Sequence, residues 1–333
     1  MLVNTCTTSR NRTGLDVHGG VIRVAVWLQA VLSRYRPTSM SPMPPVVPAP
    51  AAVDMPAVVN MPAVVRVPAV IQLRAVRLVR DERVILDDVN WKVSSGERWV
   101  VLGSNGSGKT SMVRIAALML HPSGGTVRVL GEQLGMADVR SLRRRIGYVS
   151  AALAGELRND LIAADIVMTA KNAALEPWWH RYDDADRQRA VLCLEQMGVG
   201  HFADRSFGTM SSGEQQRVLL ARSLMNAPNV VLLDEPSARL DLGGREQLVG
   251  ALKEMADNPD GPALVLVTHH VDEIPPGMTH AVLLRDGLIQ ASGPIAKVLT
   301  SESLSACFGL QLDLERRPNG RLSAYAGSGQ PLR

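Results

Sequence analysis

GSNGSGKT, residues 103–110, lies between a short apolar run, RWVVLG (98–103), and a segment of helical spacing, SMVRIAALML (111–120). The spacing Gly103-x4-Gly108-Lys109-Thr110 is that of a phosphate loop, and a strand before it with a helix after it is the context the pattern needs. Its glycines let the backbone N–H groups of Gly103, Ser104, Asn105, Gly106, Ser107 and Gly108 turn inward around a polyphosphate. The helix entered through Ser111 adds a partial positive charge at its N-terminus. Lys109 then reaches the β- and γ-phosphates, and the Thr110 hydroxyl is a ligand for Mg²⁺. The bland alternative, a Gly/Ser turn with a surface lysine, accounts for neither flanking element.

Downstream, VVLLDE carries four apolar residues into Asp234 and Glu235, at the carboxyl end of a parallel strand, where ligands of α/β sheets collect. An acidic pair ending a strand is often only a solvated turn. Beside a phosphate loop, Asp234 is suited to hold Mg²⁺ directly or through water, and Glu235 to polarise an attacking water as general base. Ahead of this strand comes TMSSGEQQRVLLARSLM (209–225), in which Ser211-x-x-Glu214 predicts a capping box opening an amphipathic helix. A capped helix N-terminus rich in small residues is also an anion site, so the structural and functional readings share one geometry.

MSSGEQQR resembles the LSGGQ signature of the ATP-binding cassette (ABC) family, whose nucleotide-binding domain otherwise has the phosphate loop and acidic strand just described. The resemblance covers about Gln72 to Ala291, with the main motifs in order. It implies an α/β fold, a P-loop NTPase core of the ABC ATPase type with an inserted helical subdomain and short antiparallel β segments. It implies ATP and Mg²⁺ as cofactors and Mg²⁺-dependent hydrolysis of ATP, with Lys109, Glu235 and His269 as catalytic groups. In this family the signature of one protomer closes on the γ-phosphate bound by the other, in a head-to-tail dimer. Ser211 and Gly213 would make that contact in trans. SARLD (237–241) is similar to the D-loop and gives Asp241 a place between the two sites. VTHH resembles the switch-histidine segment, with His269 at the γ-phosphate position.

Several positions depart from the family pattern. Ser212 replaces the usual first glycine of the signature and Glu214 the usual glutamine. In IGYVSAAL (146–153), Ala151 stands where a glutamine that touches Mg²⁺ and the attacking water is usual. Either hydrolysis is slower or differently coupled, or Ser150 acts through water. The aromatic residue that usually stacks on adenine is missing, with Val79 and Arg80 in its place. Arg80 either stacks its planar guanidinium on the base or is a solvated surface charge. In EPWWHRY (176–182), Trp178 and Trp179 cannot share one helix face; core packing of both through a kink after Pro177 is the expectation, and an exposed ring on a partner surface the alternative.

The 333 residues are 46% hydrophobic and 20% charged, the mix of a soluble globular chain. Residues 37–71 are dense in proline, with a six-residue repeat in DMPAVV, NMPAVV and RVPAVI, and proline at that density blocks both helix and central strand. Residues 1–69 are therefore read as a disordered leader, or as an upstream extension that is not translated, with Met40, Met43, Met55 or Met61 as the start. The nucleotide-binding domain is assigned to 70–333, with the helical subdomain at about 152–222. The formal net charge of +4 lies wholly within residues 1–70, so the neutral body gives no strong nucleic-acid signal. Cys6, Cys193 and Cys307 have no CxxC spacing and suggest neither a disulfide framework nor a zinc site.

No run approaches the roughly 20 apolar residues of a transmembrane helix. The partners expected are a second cassette, a copy of this chain or another subunit, and transmembrane permease subunits encoded separately. The expected place is cytoplasmic, peripheral at the inner face of the cell membrane. The rival reading is a soluble ABC-type ATPase with a regulatory or nucleic-acid-associated role and no permease. Such members often carry two cassettes in one chain, whereas this sequence has one loop and one signature. A module that holds ATP without hydrolysing it is disfavoured by Glu235 and His269.

Overall fold

The computed structural model describes residues 69–327. The expectation for the proline-rich leader falls outside them, apart from Ala69.

Two sheets form the core. The first is antiparallel, in the order β2-β1-β4-β5, from β1 (Ala69–Arg80), β2 (Arg83–Ser94), β4 (Gly124–Val129) and β5 (Glu132–Gln133). The β1–β2 turn is made by Asp81 and Glu82, both at positive φ, the conformation of a tight two-residue hairpin. The second sheet runs β10-β9-β3-β8-β7-β6, from β3 (Arg98–Leu102), β6 (Ile146–Ser150), β7 (Val230–Asp234), β8 (Ala263–Val267), β9 (His280–Arg285) and β10 (Leu288–Pro294). All of its pairings are parallel except β9–β10. Every residue of β3, β7 and β8 is buried, which explains their apolar runs, interrupted only by Arg98 at the start of β3 and Asp234 at the end of β7: both faces of the sheet are covered. Successive side chains on β7 serve different cores. Val231 and Leu233 join the helices on one face, and Val230 and Leu232 join the first sheet on the other, as the two-residue period of a strand requires.

The helix after the phosphate loop, α1 (Lys109–Ala116), is shorter than SMVRIAALML predicts. Leu118 takes a left-handed φ of 60°, and the N–H groups of Met119 and Leu120 turn back to the Arg114 carbonyl. This left-handed closure ends the helix before Leu120, the end of the segment of helical spacing. Arg143, in α2 (Val139–Arg143), donates from Nε to the Leu118 carbonyl at 3.2 Å and secures the turn.

Between β6 and β7 the chain forms α3 (Leu153–Glu156), α4 (Ala163–Thr169), α5 (Asp184–Gln196) and α6 (Ser212–Leu224). Its only β pairing is an isolated bridge between Ile162 and Ser206. The tryptophan pair corrects the expectation of core packing: Trp178 is 55% and Trp179 84% exposed. The segment around them is irregular rather than helical, so no kinked helix turns the rings inward. Trp178 instead lies under the Arg158 guanidinium, 4.6 Å from its ring centre. The chain continues through α7 (Leu242–Asp257), α8 (Ile295–Val298) and α9 (Ser301–Phe308) to a hairpin of β11 (Leu312–Arg316) and β12 (Leu322–Ala326). Turns at Asp286-Gly287 and Pro318-Asn319-Gly320 join the strands of the β9–β10 and β11–β12 hairpins.

Candidate nucleotide site

β3 delivers the chain into Gly103, and the loop is packed too tightly there for any side chain. A Cβ on Gly103 would lie 2.1 Å from the Leu284 carbonyl oxygen. Gly108 caps α1 at φ +102°, where a Cβ would meet Leu86 at 2.6 Å and the Ile85 carbonyl at 2.9 Å. No side chain caps this end of α1, so its first N–H groups are free to meet an anion. The Lys109 ammonium is buried and donates to the carbonyls of Gly103 and Ser104, both at 2.9 Å. Burial lowers its pKa, against the opposing pull of Glu235 and Asp234.

The paired strands bring the other groups to the same end of the sheet. Thr110 Oγ1 donates to Asp234 Oδ1 at 3.0 Å, and the Tyr148 hydroxyl donates to Asp234 Oδ2 at 3.2 Å. Burial raises the Asp234 pKa, and the two hydroxyl donors restrain the rise. A hard hydroxyl–carboxylate pair fits Mg²⁺, which is held by one or two protein oxygens together with substrate phosphates. No group of three or more His, Cys, Asp or Glu residues that could cage a metal occurs among the described residues.

Glu235 follows β7 at φ +49°, a conformation uncommon outside glycine and concentrated at functional sites. Its N–H donates to the Val267 carbonyl at 3.0 Å. Its Oε1 lies 3.9 Å from Lys109 Nζ and 3.3 Å from His269 Nδ1; the latter pair is close but not aligned as a hydrogen bond. The segment bearing His269 is braced from below. The N–H of His270 donates to Thr268 Oγ1 at 3.0 Å, and that hydroxyl donates to the buried Glu273 carboxylate. Arg245 on α7 approaches Glu273 and Asp272, each at 3.5 Å. Arg245 and Glu273 carry no signal in the sequence, since nothing in the spacing of residues 28 positions apart announces their contact. Tyr148 has a weak signal, since the alternation in IGYVS puts it on the same strand face as Ser150.

The signature forms as the capping box predicts. Ser211 caps α6, with its N–H donating to Glu214 Oε2 at 2.7 Å and its Oγ accepting from the Glu214 N–H at 3.3 Å. The bond from the Ser211 N–H holds the Glu214 carboxyl below its usual pKa. Gly213 abuts the start of α7, where a Cβ on it would be 3.3 Å from Gly244 Cα. Asp241 caps α7, accepting from the Gly244 N–H at 2.7 Å. No hydrogen bond or ion pair among the described residues joins Ser211, Gly213 or Asp241 to Lys109, Thr110, Asp234 or Glu235. Arg80 ends β1 exposed, its side chain in no hydrogen bond or ion pair among the described residues, on the hairpin whose Ile85 and Leu86 pack against Gly108. Ala151 lines an open cleft of about 520 Å³ together with Thr110, Tyr148, Ser150, Asp234 and Glu235.

The ABC transporter family model matches residues 86–238. The uncharacterized ABC transporter ATP-binding protein YlmA of Bacillus subtilis is 38% identical over 225 residues, covering 67% of this chain and 85% of the relative. The chain belongs to the ABC transporter ATP-binding family. A second relative, the uncharacterized ABC transporter ATP-binding protein YmeB of Lactococcus lactis, is 34% identical over 233 residues, 70% of this chain and 89% of its own. Among solved structures, a dimeric ATP-binding cassette in a post-hydrolysis state, bound to ADP and Pi, superimposes with a TM-score of 0.58 at 27% identity. That match covers 68% of this chain and 98% of the other. This ABC protein is thus the ATP-binding, ATP-hydrolysing subunit of a transporter, and cassettes of its kind pair with one another and serve membrane subunits.

Proposed function

We propose that the groups gathered at the ends of β3, β7 and β8 hydrolyse ATP by in-line attack of water, with positioning and charge stabilisation supplying most of the catalysis. Backbone N–H groups of residues 103–108 and the α1 N-terminus at Ser111 cradle the phosphates. Lys109 moves from its loop carbonyls to the β- and γ-phosphates and stabilises transferred charge. Thr110 and Asp234 hold Mg²⁺, which when bound neutralises charge on the phosphate oxygens. Glu235 accepts hydrogen bonding from the attacking water and orients it, and His269 contacts the γ-phosphate. The observation that carries this reading is the position of the Glu235 carboxylate, between Lys109 Nζ at 3.9 Å and His269 Nδ1 at 3.3 Å.

Ser211 and Gly213 act on the γ-phosphate bound by a second cassette in a head-to-tail dimer, with Asp241 at the junction. Their separation from Lys109 in the hydrogen-bond and ion-pair network of a single chain supports this arrangement. Arg80 offers its guanidinium to the adenine, at the hairpin that backs Gly108. The helical subdomain, about 152–222, ends in the signature helix and passes closure of the site to separately encoded permease subunits at the inner face of the membrane. No helix of the described residues is long and apolar enough to cross a membrane.

The test is affinity purification of the tagged chain from detergent-solubilised membranes and, separately, from cytosol. Stoichiometric recovery of a multi-span membrane protein is expected. Purely cytosolic recovery as a self-dimer would contradict the permease assignment.

A further inference from the structure

Asp234 is buried, and among the described residues no Lys or Arg nitrogen lies within ion-pair distance of it; its two oxygens are engaged instead by two hydroxyl donors, Thr110 on Oδ1 and Tyr148 on Oδ2. Thr110 belongs to the phosphate loop. Tyr148 comes from β6, at the edge of the parallel sheet, where Ser150 is paired in register with Asp234. The Tyr148 ring packs against the core shared with the first sheet, while its hydroxyl reaches the carboxylate and faces the same cleft as Thr110, Glu235 and Ala151. Beyond β6 the chain continues through Ala151 and Ala152, which carry no polar side-chain atom.

A carboxylate held at one oxygen can still swing about its terminal torsion, which is broad. A second donor fixes its plane, and an O–H bond to an ionised oxygen is of the stronger, charge-assisted kind. We infer that Tyr148 is a positioning residue for the metal-holding carboxylate: its phenol O–H holds Oδ2 and thereby keeps Oδ1 and the Thr110 hydroxyl turned together toward the phosphate loop. The inference rests on Asp234 being a metal ligand. Hydrogen-bond partners of ligating groups are typically worth about 10–100-fold in metal affinity or activity.

Tyr148→Phe removes the hydroxyl and keeps the ring in its core contact. The measurement is equilibrium binding of a fluorescent, non-hydrolysable ATP analogue, once in excess Mg²⁺ and once in excess EDTA, for the wild type, Tyr148→Phe and Asp234→Asn. The ratio of the two affinities reports the coupling of metal to nucleotide without any turnover. Tyr148→Phe should bind the analogue normally in EDTA and lose about 10-fold of the gain that Mg²⁺ confers, and Asp234→Asn should lose most of that gain. If Asp234→Asn loses the gain and Tyr148→Phe keeps it, Tyr148 does not position the carboxylate. If Tyr148→Phe weakens binding equally in both buffers, the hydroxyl is only structural and the inference fails. If Asp234→Asn itself keeps the full gain, the metal assignment of Asp234 fails first, and the inference with it.

Discussion

Glu235 Oε1 and His269 Nδ1 lie 3.3 Å apart, although the two residues come from the ends of different strands. β7 and β8 are parallel neighbours, and the Glu235 N–H is tied to the Val267 carbonyl two residues before His269. The sheet itself therefore sets the separation. His269→Ala should leave ATP affinity within a few-fold of wild type and lower kcat by about 100-fold or more, the usual scale for a positioned polar group in a transition state. Steady-state phosphate release with a parallel binding titration checks this. A variant with an unchanged kcat would remove His269 from the catalytic set.

The phosphate loop discriminates between its glycines. At Gly103 an added methyl meets the Leu284 carbonyl oxygen at 2.1 Å, whereas at Gly106 it meets nothing within 4 Å and only the φ of +81° opposes it. Gly106→Ala should cost about 1–2 kcal/mol, the penalty of a side chain in the left-handed region. Gly103→Ala must displace backbone and should both destabilise the fold more and weaken ATP binding more. Urea unfolding and nucleotide titration of the two variants test the order.

The Ser211–Glu214 box gives a pH dependence of known sign. The Glu214 pKa is lowered in the folded chain, chiefly by the bond from the Ser211 N–H. Its contribution is therefore fully present above the ordinary glutamate pKa and is lost as pH falls through the lowered folded value. Glu214→Gln removes the titrating group. Its Tm should be on the order of 2 °C below wild type at neutral pH, and the difference should shrink in acid. Thermal melts across the acid range measure it.

The tryptophan pair separates core from surface by magnitude. Tryptophan truncated in a core costs about 3–5 kcal/mol, whereas surface substitutions stay within about 0.5 kcal/mol. Trp178→Ala and Trp179→Ala should each cost under about 1 kcal/mol in urea unfolding, with Trp178 the larger because it carries the Arg158 contact. A loss of several kcal/mol at either would restore the core reading.

How much of this was legible in the sequence depended on whether the partners are chain neighbours. The phosphate loop and the capping box at Ser211 are local, so residue spacing carries them. The buried strands announced themselves as short apolar runs, and Asp234 and Glu235 were legible as their terminus. The Tyr148–Asp234 bond depends on β6 pairing with β7 in one register, and the brace of Glu273 by Arg245 joins a helix to the 3-10 turn Val271–Glu273 beyond the next strand; both are products of tertiary packing. Leu118 ended α1 early because a left-handed residue closed the helix, which leucine rarely does and no local pattern signals. The tryptophans were misread because a helix was assumed where the chain is irregular, and rings that no helix turns inward stay at the surface.

Glu235 is the group assigned to activate water for ATP hydrolysis at this site. The most direct measurement is ATP binding and phosphate release by Glu235→Gln beside the wild type. The variant should bind ATP as tightly as the wild type and lose at least about 100-fold in turnover. Turnover at the wild-type rate would contradict the role assigned to Glu235 and the mechanism built on it.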